Sequence, residues 1–240
     1  MRIRLRTRPG VLFCAMLVAA MLVFLPLRLV LGWFGMGDHG LTARRVTGTV
    51  WAGTMREASV GGIALGDLRA RLSPWPLLIG RARVDIDGRP DAPGRALRGA
   101  ISLSRHGTGV DDFTASLATG RLFAPLPVTS LDLDSVTVHF SGDACETAEG
   151  RVRATLGDSV QGVALPPSVA GNARCDGTAL LLPLTSQAGT ESVTLRIDAG
   201  GTYQANFLVR PRDPAAAARL EAAGFQPGAA GHRLSVQGRF

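Results

Sequence analysis

The sequence predicts a mainly β protein. An N-terminal transmembrane helix is followed by a strongly curved antiparallel sheet or incomplete barrel, with one short C-terminal helix. Three observations lead to this fold class. An uncharged apolar run from Val11 to Leu27 comes first, and short segments of alternating polar and apolar residues follow it. The chain also has 30 Gly and 14 Pro but only 5% aromatic residues, a composition that favours short strands joined by turns.

The apolar run is long enough for a membrane-spanning helix. Its residues cover about 26 Å at the helical rise, and the apolar residues up to Trp33 extend it to the hydrocarbon thickness of about 30 Å. Short arginine-rich flanks stay in the cytoplasm, and Arg2, Arg4, Arg6 and Arg8 precede the run. We therefore predict three parts: a cytoplasmic basic tail (1–10), a transmembrane anchor (11–34) and a β domain on the other side of the membrane (38–240), which the family resemblance described below places at the cell inner membrane and in the periplasm.

A cleaved signal peptide is the alternative to a retained anchor. The apolar region of a signal peptide is usually about 7–15 residues long and is followed by a small-x-small cleavage site. The present run is longer, and the only candidate cleavage site in residues 32–37 is a weak Gly-x-Gly pair. Pro26 can kink the last turn of the helix, and the long side chain of Arg28 can reach the lipid headgroups. Whether the segment is a retained anchor or a cleaved signal peptide, the chain after residue 37 leaves the cytoplasm.

The net charge of +7 does not indicate nucleic-acid binding. Residues 1–37 contain five Arg and no acid, so the other 21 Arg and 19 acids leave a charge of only +2. No basic stripe with interleaved aromatic residues occurs in the sequence, and we exclude nucleic acid as a partner.

The three cysteines have different predicted roles. Cys14 lies inside the apolar run and acts as an apolar filler. Cys145 and Cys175 lie on the oxidising side of the predicted membrane, where thiols pair, and they lack the nearby histidines that a metal site would need. We predict a Cys145–Cys175 disulfide, which closes a loop of about thirty residues and stabilises the fold by about 2–4 kcal/mol.

Alternation with a period of two predicts the strands of the β domain. Gly61-Gly62 and Ala199-Gly200-Gly201 mark hairpin turns, and Pro74 and Pro76 stop a strand because proline cannot donate to a ladder. The predicted strand segments are, in order, 67–72, 81–88, 101–104, 112–117, 131–140, 150–156, 179–184, 192–198, 202–207 and 232–240.

Loops and one helix complete the predicted chain. Residues 88–100 are rich in Gly, Pro and Arg, and residues 163–168 contain Pro166-Pro167, so both stretches predict loops. Asp213, Pro214 and Gly224 suit the cap, the first turn and the end of a helix.

The sequence contains no motif for catalysis, cofactor binding or metal binding. His39, His106, His139 and His232 lie far apart without paired ligand spacing, and the nucleophile elbow, phosphate loop and dinucleotide fingerprint are missing. Alternation with leucines predicts a solvated face for Asp132 and Asp134, and His139 also falls on the polar side of a strand. We predict that the protein is not an enzyme and uses no cofactor or metal; a periplasmic hydrolase is the alternative that no residue spacing supports.

Several segments resemble the general secretion pathway protein N family, which supplies the N subunit of type II secretion. They are GTVWAG (48–53), GGIALGDLRARLSPWPLLIGRARVDIDG (61–88), Cys145 with CDGTALLLPLTSQAG (175–189), and the C-terminal Gly224-Phe225 and LSVQGRF (234–240). The most specific matches are Leu-Ser-Pro-Trp (72–75) and Cys-Asp-Gly (175–177). Trp51, Pro74 and Trp75 are expected to be structural motif residues, not catalytic ones.

The resemblance implies a bitopic inner-membrane accessory or scaffold subunit of the type II secretion machinery. Such a protein would contact other secretion subunits through its periplasmic β domain, for example by adding a strand at a sheet edge. A second hypothesis is a membrane-tethered lipid-binding or lipid-transfer protein, because the apolar face of a curved sheet could form a groove for lipid chains.

Overall fold

The chain folds mainly into one antiparallel sheet. The computed structural model describes residues 9–33, 41–60, 63–89, 97–120 and 123–239. These residues form the large sheet, a separate two-stranded hairpin and short helices, which confirms the prediction of a mainly β protein. The helices are α1 (Pro9–Val23), α2 (Leu27–Trp33), α3 (Pro74–Leu77) and α4 (Pro214–Ala222).

The strands follow one another in a long meander. In chain order they are β1 (Leu41–Thr42), β2 (Arg45–Thr49), β3 (Ala52–Val60), β4 (Ile63–Ser73), β5 (Arg81–Arg89), β6 (Leu97–Ser104), β7 (Gly107–Ala118), β8 (Val128–Ser141), β9 (Ala144–Leu156), β10 (Ser159–Val160), β11 (Val163–Ala164), β12 (Ser168–Asn172), β13 (Arg174–Asp176), β14 (Ala179–Thr185), β15 (Glu191–Asp198), β16 (Thr202–Val209), β17 (Gln226–Gly228) and β18 (Gly231–Arg239).

Neighbours along the chain are mostly neighbours in the sheet. The order across the large sheet is β1-β3-β4-β5-β6-β7-β8-β9-β12-β14-β15-β16-β18-β17, with β2 paired to β3 and β13 paired to β14. The strands β10 and β11 pair only with each other. The path runs from β1 to β17 without returning to its start, so the sheet is not closed and has two edges.

Alternation along the strands gives the sheet one apolar face. In β4, Leu68 and Ala70 are buried, whereas Arg69 and Arg71, which alternate with them, are exposed. Two groups of buried side chains result. The first-half core consists of Leu27, Met55, Ala58, Leu68, Ala70, Leu97 and Ala115. The second-half core contains 21 buried residues from Phe123 to Phe225.

The second half of the sheet curves so that distant strands share one core. The strands β8 and β16 are five positions apart in the sheet order, which would separate them by about 24 Å in a flat sheet. Leu131 of β8 and Ala205 of β16 nevertheless line one small cavity, and the ring centroids of Phe123 and Tyr203 are 5.5 Å apart. Register shifts in β3, β7 and β8 bend the sheet further.

Helix α4 covers one end of the second-half core. The Oδ1 atom of Asp213 accepts a hydrogen bond from the Ala215 N–H at 3.0 Å, and Pro214 occupies the first helical position. Leu220 is fully buried, and Phe225 packs edge-to-face on Phe207 with ring centroids 5.8 Å apart. The predicted helix between Asp213 and Gly224 is confirmed.

The predicted anchor over residues 11–34 is not one continuous helix. Helix α1 ends at Val23 and α2 begins at Leu27. Pro26 has no N–H to donate and disfavours a helical conformation in the residue before it, so the helix breaks there. Pro26 instead forms a bridge with Thr49, and the Leu25 carbonyl accepts the Val50 N–H at 3.0 Å. Of the helices in the described ranges, none combines the length and apolar character needed to cross a membrane.

Helix α2 packs on the sheet, which corrects the assignment of its residues to the anchor. Leu27 is 7% exposed and lies in the first-half core, and Leu31, one helical turn later, packs beside it. Gly53 makes this contact possible because a Cβ atom at that position would collide with the Leu27 side chain. Arg28 and Leu29 lie on the exposed side of the helix.

Cys145 of β9 and Cys175 of β13 form a disulfide, as predicted, with Cα atoms 5.5 Å apart. The strand β13 has only three residues, and its ladder partner is β14. The disulfide ties this short strand to β9 as well. Cys14 is a free, exposed thiol on α1.

Two predicted loops contain more strand than expected. The strand β5 extends to Arg89 and β6 begins at Leu97 because Gly88 and Leu97 pair across the ladder, while residues 90–96 lie outside the described ranges. Residues 163–168 contain β11 and the first residue of β12. The hairpin at Ala199-Gly200-Gly201 is confirmed, and Gly201 has the positive φ of +79° that glycine favours. The predicted Gly61-Gly62 turn lies outside the described residues.

Replacing Leu27 by alanine should destabilise the sheet. The change removes a buried side chain from the first-half core, at a cost of about 2–5 kcal/mol in the free energy of unfolding. Leu29→Ala is the matched control because Leu29 lies on the same helix and is 56% exposed. Its effect should stay within about 0.5 kcal/mol. Urea unfolding of both full-length variants in detergent micelles measures the difference, and equal effects would contradict the packing of Leu27 on the sheet.

Removing the disulfide should also lower stability. Cys145→Ser combined with Cys175→Ser frees the unfolded chain between the two residues, so the free energy of unfolding should fall by about 2–4 kcal/mol. Cys14→Ser, which removes the exposed thiol of α1, should leave the unfolding curve unchanged. If the double variant unfolds at the same urea concentration as the native chain, the bond does not contribute to stability as expected.

Candidate functional site

An apolar turn projects from the sheet between β4 and β5. Pro74 and Pro76 cannot donate to a strand ladder, and Pro74 occupies the first turn of α3. Hydrogen bonds hold the turn closed: Leu78 N donates to Trp75 O at 3.2 Å, and Gly80 N donates to Leu77 O at 3.0 Å. We call residues 74–80 the α3 tip.

The α3 tip carries an unusual group of exposed apolar side chains. Trp75 and Leu78 are each 79% exposed, Ile79 is 72% exposed and Leu77 is 39% exposed. Single exposed apolar residues are normal on a protein surface, but a contiguous group of this kind marks a surface that contacts a partner or a membrane.

The α3 tip lies at the end of the sheet where α1 joins it. Leu72 N donates to Val50 O at 3.2 Å, and Val50 N donates in turn to Leu25 O. Beside them, the indole Nε1 of Trp51 donates to Leu22 O at 2.9 Å. These bonds link the last turn of α1, the β2–β3 turn and the end of β4 immediately before α3. We call this end of the strands the α1 end.

Two further turns lie at the α1 end because antiparallel strands alternate in direction. They are the β6–β7 turn at 105–106 and the β8–β9 turn at 142–143, as the pairs Arg81↔Ser104 and Gly107↔Ser141 require. A cleft of about 620 Å³ opens between these turns and the α3 tip. Its lining includes the apolar Trp75, Ile79 and Phe140 and the polar Arg83, His106, Asp111, His139 and Glu146.

A charged cluster forms one wall of the cleft. The Arg83 guanidinium donates to Asp111 Oδ2 at 3.0 Å and to Asp85 Oδ1 at 3.2 Å. The other carboxylate oxygen of Asp111 lies 2.7 Å from Nε2 of His139, and Ser73 Oγ donates to Asp85 Oδ2 at 3.1 Å. The cluster therefore connects β4, β5, β7 and β8 through side chains on one face of the sheet.

Glycine at position 109 permits the contact between His139 and Asp111. Gly109 lies directly opposite His139 in the ladder between β7 and β8. A Cβ atom at Gly109 would collide with the imidazole ring of His139. Because glycine has no side chain, the ring can pack against the backbone of Gly109 and reach Asp111. Sequence reasoning placed His139 on the polar face but missed this pair because the two residues are 28 positions apart.

The cluster has the groups for binding a polar ligand and for supporting the sheet. Across the part of the chain that the structure describes, the hydrogen bond of the His139 ring is to Asp111, and no serine, threonine or cysteine bonds to it. The described ranges also hold no group of three or more His, Cys, Asp or Glu side chains that could bind a metal ion.

The other residues singled out from the sequence lie apart from the cleft. Asp132 and Asp134 lie opposite Arg153 and Arg151 of β9. His232 approaches Glu221 of α4, with Nε2 and Oε1 3.2 Å apart. Outside the described ranges lie Arg2, Arg4, Arg6, Arg8 and His39.

Comparison with known proteins gives one match. The family model for type II secretion system (T2SS), protein N matches residues 39–235, which include nearly the whole sheet. No curated protein and no solved structure matches the chain.

Replacing Asp111 by asparagine should weaken the junction between β5, β7 and β8. The change removes the charge that both Arg83 and His139 contact, and we expect a loss of about 1–2 kcal/mol in the free energy of unfolding. A double-mutant cycle with His139→Gln should give a coupling energy of about 0.5–1 kcal/mol, measured by urea unfolding. Asp143→Asn, on the neighbouring exposed turn, is the control. Additive effects of Asp111→Asn and His139→Gln would contradict a direct interaction.

Proposed function

Because the chain belongs to the type II secretion system protein N family, we propose that it is a non-catalytic scaffold subunit of the secretion machinery. Family membership supports association with other type II secretion components. In this proposal the sheet acts through contacts with those subunits, and it neither turns over a substrate nor needs a cofactor.

We propose an inner-membrane location in which α1 lies in the lipid, the N-terminal tail is in the cytoplasm and the sheet is in the periplasm; α1, at about 22 Å, would be one part of the span. Helix α1 supports this because its apolar side chains, from Val11 to Val23, are exposed around the whole helix and do not pack on the sheet. A helix that is apolar on every side needs an apolar environment such as lipid. The four N-terminal arginines favour the cytoplasmic side for the tail, and the disulfide suits an oxidising compartment.

The observation that carries the scaffold proposal is the difference between the two sheet edges. At one edge, Leu25 and Pro26 bond to the end of β2, and α2 packs against that strand. At the other edge, β17 pairs only with residues 231–233 of β18. Within the described ranges, residues 234–239 therefore have no strand on their outer side.

The open part of β18 suits the addition of a partner strand. Unpaired backbone groups on an edge strand are a template for pairing, and proteins usually protect such edges with charged residues or proline. Of the open residues 234–239, only the last, Arg239, is charged, and the segment Leu234–Gly238 contains neither a charge nor a proline. We propose that a strand of another secretion subunit pairs there.

The lipid-carrier alternative needs a groove for an acyl chain. In the second-half core, the cavity lined by residues such as Phe123, Leu131 and Ala205 has a volume of only about 20 Å³. Pockets for ligands measure about 300–1,000 Å³. The small size of this cavity favours contacts at the edge over lipid carriage within the second-half core.

A photocrosslinking residue at Gln237 should join the chain to another type II secretion subunit in native membranes. Gln237 is exposed on β18, and Gln204 lies directly opposite it on β16, so Gln204 is a matched control on the same face but one strand away from the edge. Crosslinks from Gln237 should exceed those from Gln204 several-fold, as immunoblots of the complex would show.

Two further results bear on the same proposal. Gln237→Lys places a charge on the open edge and should reduce both co-purification of secretion subunits and secretion itself, whereas Gln204→Lys should have little effect. Pull-down of the native chain that enriches no secretion subunit over a control would refute the scaffold role. Equal crosslinking at both positions would refute the edge as the contact surface.

A further inference from the structure

We propose that the α3 tip is a second membrane contact, which lies against the anionic lipid surface beside the point where α1 enters the bilayer. This inference rests on the proposed membrane anchoring by α1. It assigns a lipid-binding surface to residues of the β domain itself.

The first argument is position. The bonded series Leu25–Val50–Leu72 places the start of the α3 tip, two residues after Leu72, next to the end of α1. The apolar surface of α1 and the apolar surface of the α3 tip therefore lie at one end of the sheet. An aqueous environment would leave both surfaces uncovered, whereas a bilayer surface that receives α1 can cover the tip as well.

The second argument is the chemistry of the exposed side chains. Trp75 has the residue type that is enriched at the interface between membrane and water, because its ring is apolar and its N–H is polar. Leu78 and Ile79 add apolar area that can enter the acyl boundary. Pro74, Pro76 and the hydrogen bonds of the turn hold these side chains outward, so binding would cost little conformational freedom.

The third argument is charge. Arg81 follows the α3 tip, and Arg105 lies in the adjacent β6–β7 turn, with its Nη2 atom about 3.9 Å from the position of a Cβ on Gly80. Both arginines are exposed, and Arg28 of α2 is exposed at the same end. Residues 74–81 and 104–107 contain no acid. The acids Asp143 and Glu146 belong to the β8–β9 hairpin, one hairpin farther from α1.

The test uses the full-length chain in vesicles of phosphatidylethanolamine with or without phosphatidylglycerol. An environment-sensitive fluorophore is attached to Ile79→Cys in a Cys14→Ser background. Gln187→Cys is the matched control because Gln187 is exposed on the β14–β15 turn, at the opposite end of the sheet. In vesicles with phosphatidylglycerol, the probe at position 79 should shift to the blue and be quenched by nitroxide lipids at least about twofold more than the probe at position 187.

Charge reversal tests the preference for anionic lipid. Arg81→Glu with Arg105→Glu should lower the ratio of lipid-bound to free tip by about fivefold or more for each arginine. Arg212→Glu, an exposed arginine next to α4 at the opposite end, should leave the quenching unchanged. Equal quenching of the position-79 probe with and without phosphatidylglycerol would overturn the anionic preference.

A separate probe on the native Cys14 distinguishes this inference from the proposed anchoring. If the Cys14 probe is quenched by lipid but the position-79 probe is not, α1 inserts and the second contact is refuted. If neither is quenched, both proposals are refuted. Shielding of position 79 only after addition of other secretion subunits would assign the α3 tip to a protein partner and would also overturn the inference.

Discussion

The sheet has a single apolar face, and the rest of the structure follows from the need to cover it. A long antiparallel meander exposes this face to water unless the sheet bends or another element packs on it. In the second half the sheet bends, so that Leu131 of β8 and Ala205 of β16 meet across one core, and Leu220 of α4 fills its end. In the first half, α2 supplies Leu27 to the corresponding core.

An open sheet also has two edges, and in this chain the two edges are covered to different extents. The residues that join α1 to α2 bond to Thr49 and Val50, so the N-terminal segment both covers an edge and contributes Leu27 to the core. At the opposite edge, the described residues protect the sheet only where β17 pairs with β18. Because strand addition needs free backbone groups, the proposed partner strand would pair with the part of β18 that follows Arg233.

Local signals in the sequence predicted local structure well. Alternation identified β4, the Asp213 cap with Pro214 identified α4, and the cysteines identified the disulfide. Hydrophobicity alone could not separate Leu27, which enters a protein core, from the exposed apolar residues of α1, since lipid and protein interiors select the same side chains. The Asp111–His139 contact depends on strand register and on the missing side chain at Gly109, neither of which spacing along the chain reveals.

The junction at residues 24–26 determines what a second membrane contact would achieve. In the proposed membrane arrangement, the bonds from Val50 to Leu25 and from Trp51 to Leu22 already connect the sheet to the end of the inserted helix. A contact at the α3 tip, which is connected through Leu72 and Val50 to the end of α1, would add a second point at which the sheet is held against the bilayer. The strand β18 ends at the same end of the sheet, since Arg239 pairs with Thr202 beside the β15–β16 turn. Two membrane contacts would therefore give the open edge a defined orientation relative to the bilayer. A partner anchored in the same membrane would then lose less rotational freedom when it binds this edge.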